Sequence, residues 1–214
     1  MKTASIAYGA AALLGCVLSL NASAHALWLE RGTPASKLYF GEYAENLRES
    51  SPGRLDSIVE PEAMIIDQAG TAKSATPSRE NTHFSLPDGA TVLVQARRQP
   101  IRESQGGAPA PIQRRFLYAR LGNGGSLPLD LQDSGNRLRL TFMGEPVPKA
   151  EIVVIAPSGW EKHLRTDEKG EASFSPPESG LYVVEAKHEL NKPGEFEGKA
   201  YAVEGHKVTL SLYK

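Results

Sequence analysis

Proline and glycine punctuate this chain so closely that no long helix fits between them. Fifteen prolines and twenty glycines are spread along 214 residues, and Val, Ile, Leu, Thr and Tyr recur in short runs between them. Proline locks φ and lacks a backbone donor, and glycine permits the φ values that turns need, so this is the spacing of strands joined by tight turns. No segment after residue 24 sustains a helical period. The predicted fold class is therefore all-β, with room for one short helix.

The first 24 residues carry a different message. Met1 and Lys2 give a positive start, Ile6 to Leu20 is almost continuously apolar or small, and Ala22-Ser23-Ala24 supplies small residues for signal-peptidase cleavage before His25. The run is broken by Gly9 and Gly15 and is too short for a membrane span, which needs about 20 apolar residues. Leu13-Leu14-Gly15-Cys16 also fits lipoprotein processing, with Cys16 lipidated. The apolar run continues past Cys16 through Val17, Leu18 and Leu20, which favours cleavage after Ala24. The expectation is an exported, periplasmic protein that begins at His25 and has no membrane span when mature.

Cleavage leaves 190 residues and, by removing Lys2, moves the formal net charge from −1 to −2. Near neutrality gives no reason to expect nucleic acid as a partner. The single cysteine, Cys16, lies in the leader, so disulfides, thiolate metal sites and cysteine nucleophiles are excluded from the mature chain. Any metal must be held by nitrogen and oxygen. No GxSxG, HExxH, EF-hand, Walker or dinucleotide motif is present, and the chain is read as non-enzymatic.

Two β-sandwich-like units are expected, residues 25–135 with long loops at 44–62 and 97–115, and residues 136–214. In the second, Leu138, Leu140 and Phe142 alternate with Arg137, Arg139 and Thr141, the pattern of a half-buried strand. Asp167-Glu168-Lys169-Gly170 predicts a tight turn with Gly170 at φ > 0. Gly144-Glu145-Pro146-Val147, this turn, and Gly180-Leu181-Tyr182 resemble the Ig-like or prealbumin-like repeat of many secreted proteins, which implies a fold and little about function.

The chemistry then rests on five histidines, His25, His83, His163, His188 and His206. A matured N-terminal His25 offers its α-amine and Nδ1 as a chelate, and an α-amine, with a reference pKa near ~8, is neutral more readily than lysine. Such nitrogen donors suit Ni(II), Co(II), Cu(II) or Zn(II). His188 shares a face with Tyr182, Val184 and Ala186, and His206 with Val208, Leu210 and Leu212; antiparallel pairing of the two strands brings both imidazoles to one end of the sandwich. Each can equally cap its strand by bonding a carbonyl. Glu189 and Glu204 are read as pointing to alternate faces, and His83 and His163 as solvated.

His25-Ala26-Leu27-Trp28-Leu29-Glu30, the Ig-like half, and the ending His188-Glu189, Pro193 to Lys199, Tyr201, His206 and Thr209-Leu210 together resemble a bacterial periplasmic family described as a nickel/cobalt-uptake accessory component, otherwise of unknown function. The resemblance implies an exported, metal-linked protein associated with transport across the envelope, with the mature His25 as a ligand. Joined to the strand alternation, it gives the first reading: Ni(II), Co(II) or Cu(II) as cofactor or cargo, held by the amine and ring of His25 with His188 or His206, and an envelope metal transporter or receptor as partner. Two other readings stay open. One is a recognition module for a peptide, glycan or envelope receptor; the other is a copper oxidase using His25 as half of a histidine brace.

Overall fold

The computed structural model describes residues 25–101 and 111–214. The expected leader, with Cys16, and residues 102–110 of the second long loop lie outside the described residues.

The chain is all-β. A central eight-stranded sheet runs from edge to edge through Glu161–Arg165, Glu151–Ile155, Leu181–Leu190, Val203–Tyr213, Gln113–Leu121, Thr91–Ala96, Glu62–Ile66 and Ala72–Ala75. A five-stranded sheet that includes Ala26–Glu30, Ala35–Glu42 and Phe84–Pro87 lies on one face. A four-stranded sheet of Leu129–Asp133, Arg137–Phe142, Glu145–Pro146 and Glu171–Ser173 lies on the other. Gly194–Phe196 and Lys199–Tyr201 form a separate hairpin. Arg54–Ser57 is a single 3-10 turn.

Strand periodicity builds these layers. Along the two central strands, Tyr118, Val208 and Leu210 enter a core with Leu129, Leu131, Leu138 and Leu140. Their neighbours Leu117, Ala119 and Leu121 enter a second core with Leu27, Leu29, Leu38 and Phe40. Successive side chains point to opposite faces, so one sheet serves two cores. That is why Thr91–Ala96 is buried along nearly its whole length.

The segments 25–135 and 136–214 meet inside this sheet. Gln113–Leu121 pairs in parallel with Val203–Tyr213, from Val203 opposite Gln113 to Ser211 opposite Leu121. Residue 135 itself falls in the turn of a hairpin, because Leu129–Asp133 pairs with Arg137–Phe142 and sends Leu129 and Leu131 into the core that the C-terminal strands build. The predicted turn at Asp167 forms as expected: Gly170 has φ 72°, and the Asp167 carboxylate accepts from the backbone of Lys169 and Glu171. Those bonds hold its pKa below the usual range.

One buried ion pair fastens the four-stranded sheet to the central one. Arg120, with no exposed surface, donates to Asp130 through Nε at 2.7 Å and Nη2 at 2.9 Å. Its other donors reach the carbonyls of Gly122, Gly124 and Gly125, so the whole guanidinium fork is satisfied. Removing one partner of such a pair leaves a buried charge uncompensated. Asp130→Ala is therefore expected to lower the unfolding free energy by about 3–5 kcal/mol, measured by urea denaturation.

Candidate functional site

The position of His25 follows from how the first strand is held. Among the described residues Ala26–Glu30 is an edge strand that pairs only with Ala35–Glu42, and its other edge rests on the central sheet. The backbone groups of that edge are met by side chains of the last strand. Thr209 Oγ1 donates to the Leu27 carbonyl at 2.5 Å, Leu29 N donates to Ser211 Oγ at 3.1 Å, and Arg31 N donates to Tyr213 Oη at 2.9 Å. Lys207 Nζ completes the ladder at the His25 carbonyl, 3.4 Å away.

The ring of His25 is then gripped by two carboxylates. The register that sets Ala26 opposite Gly41 carries His25 to Glu42, and the return strand Leu47–Arg48 brings Glu49 to the other side. Nδ1 lies 2.9 Å from Glu42 Oε1, and Nε2 lies 2.5 Å from Glu49 Oε1 and 3.2 Å from Arg54 Nη1. Phe40 packs against the ring, whose side chain is 12 % exposed. The 44–62 loop thus supplies Glu49 and Arg54 to the histidine.

His188 and His206 are direct cross-strand partners, as the alternation predicts. Both rings lie against Phe142, and His206 also stacks flat on Phe116, with ring centres 4.6 Å apart. The Tyr118 hydroxyl is 3.0 Å from His206 Nδ1. Nε2 is buried without a hydrogen-bond partner, its nearest carboxylate oxygen being Glu204 Oε2 at 3.8 Å. Glu204 is therefore on the face of His206, as residues two apart in a strand must be, and its charge is met by Lys192 and Tyr201. Burial drives the His206 pKa down to about 4, against the opposing pull of Glu204. Burial likewise lowers His188.

The three histidines do not meet. His206 faces Phe116 and Tyr118, whereas Lys207 and Thr209 turn to the opposite face, where His25 lies. A sheet separates the pair from the N-terminal histidine, so no one ion takes all three in this arrangement. Among the described residues, no three His, Asp or Glu side chains converge as a metal-binding group. Glu42 and Glu49 approach opposite nitrogens of the His25 ring.

Residues 126–190 match the model of a domain of unknown function, DUF4198. The matched stretch holds the four-stranded sheet and His188, and neither His25 nor His206. No curated protein matches the chain. A solved structure described as a tetra-tandem repeat in the extending region of a large adhesion protein aligns over 89 % of this chain at 15 % identity, with a TM-score of 0.22. The chain spans 49 % of that structure's length.

The remaining histidines have local partners. His163 is exposed, with Nδ1 2.9 Å from Glu151, and His83 lies against Tyr39. No described helix is long and apolar enough to cross a membrane.

His206 makes stability depend on acid. Its folded pKa lies below the unfolded value of about 6.5, so the unfolded chain takes the proton first. The contribution is complete above pH 6.5, is lost as pH falls towards 4, and amounts to roughly 3 kcal/mol. Denaturation at pH 7.5 and pH 4 is expected to show a smaller loss in His206→Gln than in the parent.

Proposed function

We propose that this is an exported, periplasmic, non-enzymatic transition-metal-binding protein, accessory to metal uptake or handling, whose site is its matured N terminus. The ion, Ni(II), Co(II) or Cu(II), is taken by the α-amine and Nδ1 of His25 together with the Glu42 carboxylate. His188 and His206 are left as a packed pair on the far face.

One observation carries the reading: Nδ1 and Glu42 Oε1 are 2.9 Å apart. A nitrogen and an oxygen donor of the kinds these ions would take therefore lie side by side. The contact at Nε2 supports the same assignment. A carboxylate that accepts from one ring nitrogen fixes the tautomer and turns the other nitrogen's lone pair to a metal, and Glu49 is placed to do this. The amine of the same residue would give a third donor by closing a chelate ring through Cα, Cβ and Cγ. The chemistry such an ion supplies here is binding and transfer, and an envelope transporter or receptor is the partner that fits it.

A second reading has one observation in its favour. A hollow of about 700 Å³ lies beside the edge strand Ala72–Ala75, between Glu62, Met64, Thr76 and Arg79. Such an edge accepts an extended peptide by strand addition.

Calorimetric metal titration of the protein matured at His25, beside the same chain with one extra N-terminal alanine, separates the readings. Tight binding of one metal is expected, lost in the extended form and weakened about 10–100-fold in Glu49→Gln, as when an orienting partner is removed from a metal-ligating histidine. Equal binding by both forms removes the amine from the site and overturns the proposal.

A further inference from the structure

The four-stranded sheet carries a hollow on the face turned away from its core. Leu129, Leu131, Leu138 and Leu140 enter the core, so Asp130, Gln132, Arg139 and Thr141 lie on the other face. The register sets Asp130 opposite Thr141 and Gln132 opposite Arg139, which gathers the four into one patch. Ser126, Leu127 and Pro128, before the first of these strands, and Met143 and Gly144, after the second, complete the lining of a hollow of about 600 Å³.

The buried Arg120–Asp130 pair prepares this patch. Asp130 Oδ2 accepts from Arg120 and also from Gln132 Nε2, at 2.9 Å. A carboxylate only accepts, so the Gln132 amide must turn its NH2 to Asp130, and its Oε1 stays available as an acceptor. The hydroxyls of Thr141 and Ser126 bond no group among the described residues. The two charged residues in the lining differ. Asp130 is held by Arg120, whereas Arg139 has no hydrogen bond or ion pair among the described residues, its cross-strand neighbour Glu171 being taken by Arg137 at 2.7 Å.

These groups select a ligand. The Arg139 fork matches a carboxylate edge, and charged hydrogen bonds of this kind are the stronger ones. Gln132 Oε1 accepts, and the Thr141 and Ser126 hydroxyls both donate and accept, which suits neighbouring hydroxyls on the ligand. The volume falls within the roughly 300–1,000 Å³ of small-molecule sites, more than a bare inorganic anion fills. The lining holds no aromatic ring on which to stack a nucleobase.

We propose that this hollow binds a sugar acid, a hexuronic acid either free or as a unit of an acidic glycan. Its carboxylate meets the Arg139 fork, and its hydroxyls meet Gln132 Oε1, Thr141 and Ser126. The C–H face of the ring lies against Pro128 and Met143, whose thioether chain is 72 % exposed and adapts to the shape laid on it. The hollow belongs to the opposite side of the central sheet from His25 and shares no residue with the proposed metal site, so either can fail without the other.

Glucuronate is the probe, titrated at constant ionic strength into the chain matured at His25 and followed by the amide chemical shifts of Gln132 and Thr141 in nuclear magnetic resonance. Saturable one-site binding is expected, weakened about tenfold or more in Arg139→Gln, the worth of one charge-assisted hydrogen bond, and several-fold in Thr141→Val. Arg139 is exposed, so the urea midpoint of Arg139→Gln is expected to equal the parent's, which separates lost binding from lost folding. Glucose, with the hydroxyls and no carboxylate, is expected to bind about tenfold more weakly than glucuronate. Tighter binding of an oligogalacturonate than of the free acid assigns the site to a glycan, and equal or weaker binding assigns it to the free sugar acid. Absence of saturable binding, or an affinity unchanged in Arg139→Gln, overturns the site. N-acetylglutamate binding as tightly as glucuronate overturns the assignment to sugars in favour of an acidic peptide.

Discussion

Side chains of the last strand take the place of a missing strand beside the first. An edge strand laid on a sheet would bury backbone groups without partners, at a cost of about 1–3 kcal/mol for each one left unsatisfied. Thr209, Ser211 and Tyr213 meet those groups at Leu27, Leu29 and Arg31 in turn, and Lys207 reaches the His25 carbonyl. Thr209 and Ser211 are buried polar residues for this reason. The ladder joins parts of the chain 182 residues apart, and it decides where His25 sits.

Two consequences follow from that placement. The first strand closes the core formed by Leu38, Phe40, Val92 and Val94, so the five-stranded sheet is tied to the same long strand that borders the C-terminal core. His25 is also delivered to one face of the sheet while His206 is enclosed on the other. Their strands are close and their side chains are not. The carboxylates that do reach His25 are Glu42, the last residue of Ala35–Glu42, and Glu49, which the return strand Leu47–Arg48 brings back beside the ring.

The parts legible in the sequence were those governed by local periodicity. Turn residues and alternation give the all-β class, the Asp167–Gly170 turn and the pairing of His188 with His206, because each depends on neighbours in sequence or on one hairpin-like return. Thr209 and Ser211 alternate with Val208, Leu210 and Leu212, and nothing local announces that another strand's edge will cover them. Glu42 and Glu49 carried no motif; their meeting with His25 requires the register of two strand pairs. Glu204 was within reach of sequence reasoning, because a residue two before His206 in a strand must share its face.

The two histidine clusters differ in what they can hold. Around His206, aromatic rings and burial favour the neutral imidazole, the Tyr118 hydroxyl occupies Nδ1, and Lys192 and Tyr201 already engage Glu204. A divalent ion there would displace an established ion pair and gain one carboxylate. Around His25 two carboxylates stand ready, Arg54 approaches Glu49 only at 3.8 Å, and Arg54 itself is largely exposed. In the proposed reading a divalent cation at Nδ1 is met by the charge of Glu42, with Glu49 at the opposite ring nitrogen. Charge balance therefore points to the same end of the molecule as the 2.9 Å spacing, by an argument that does not use the spacing.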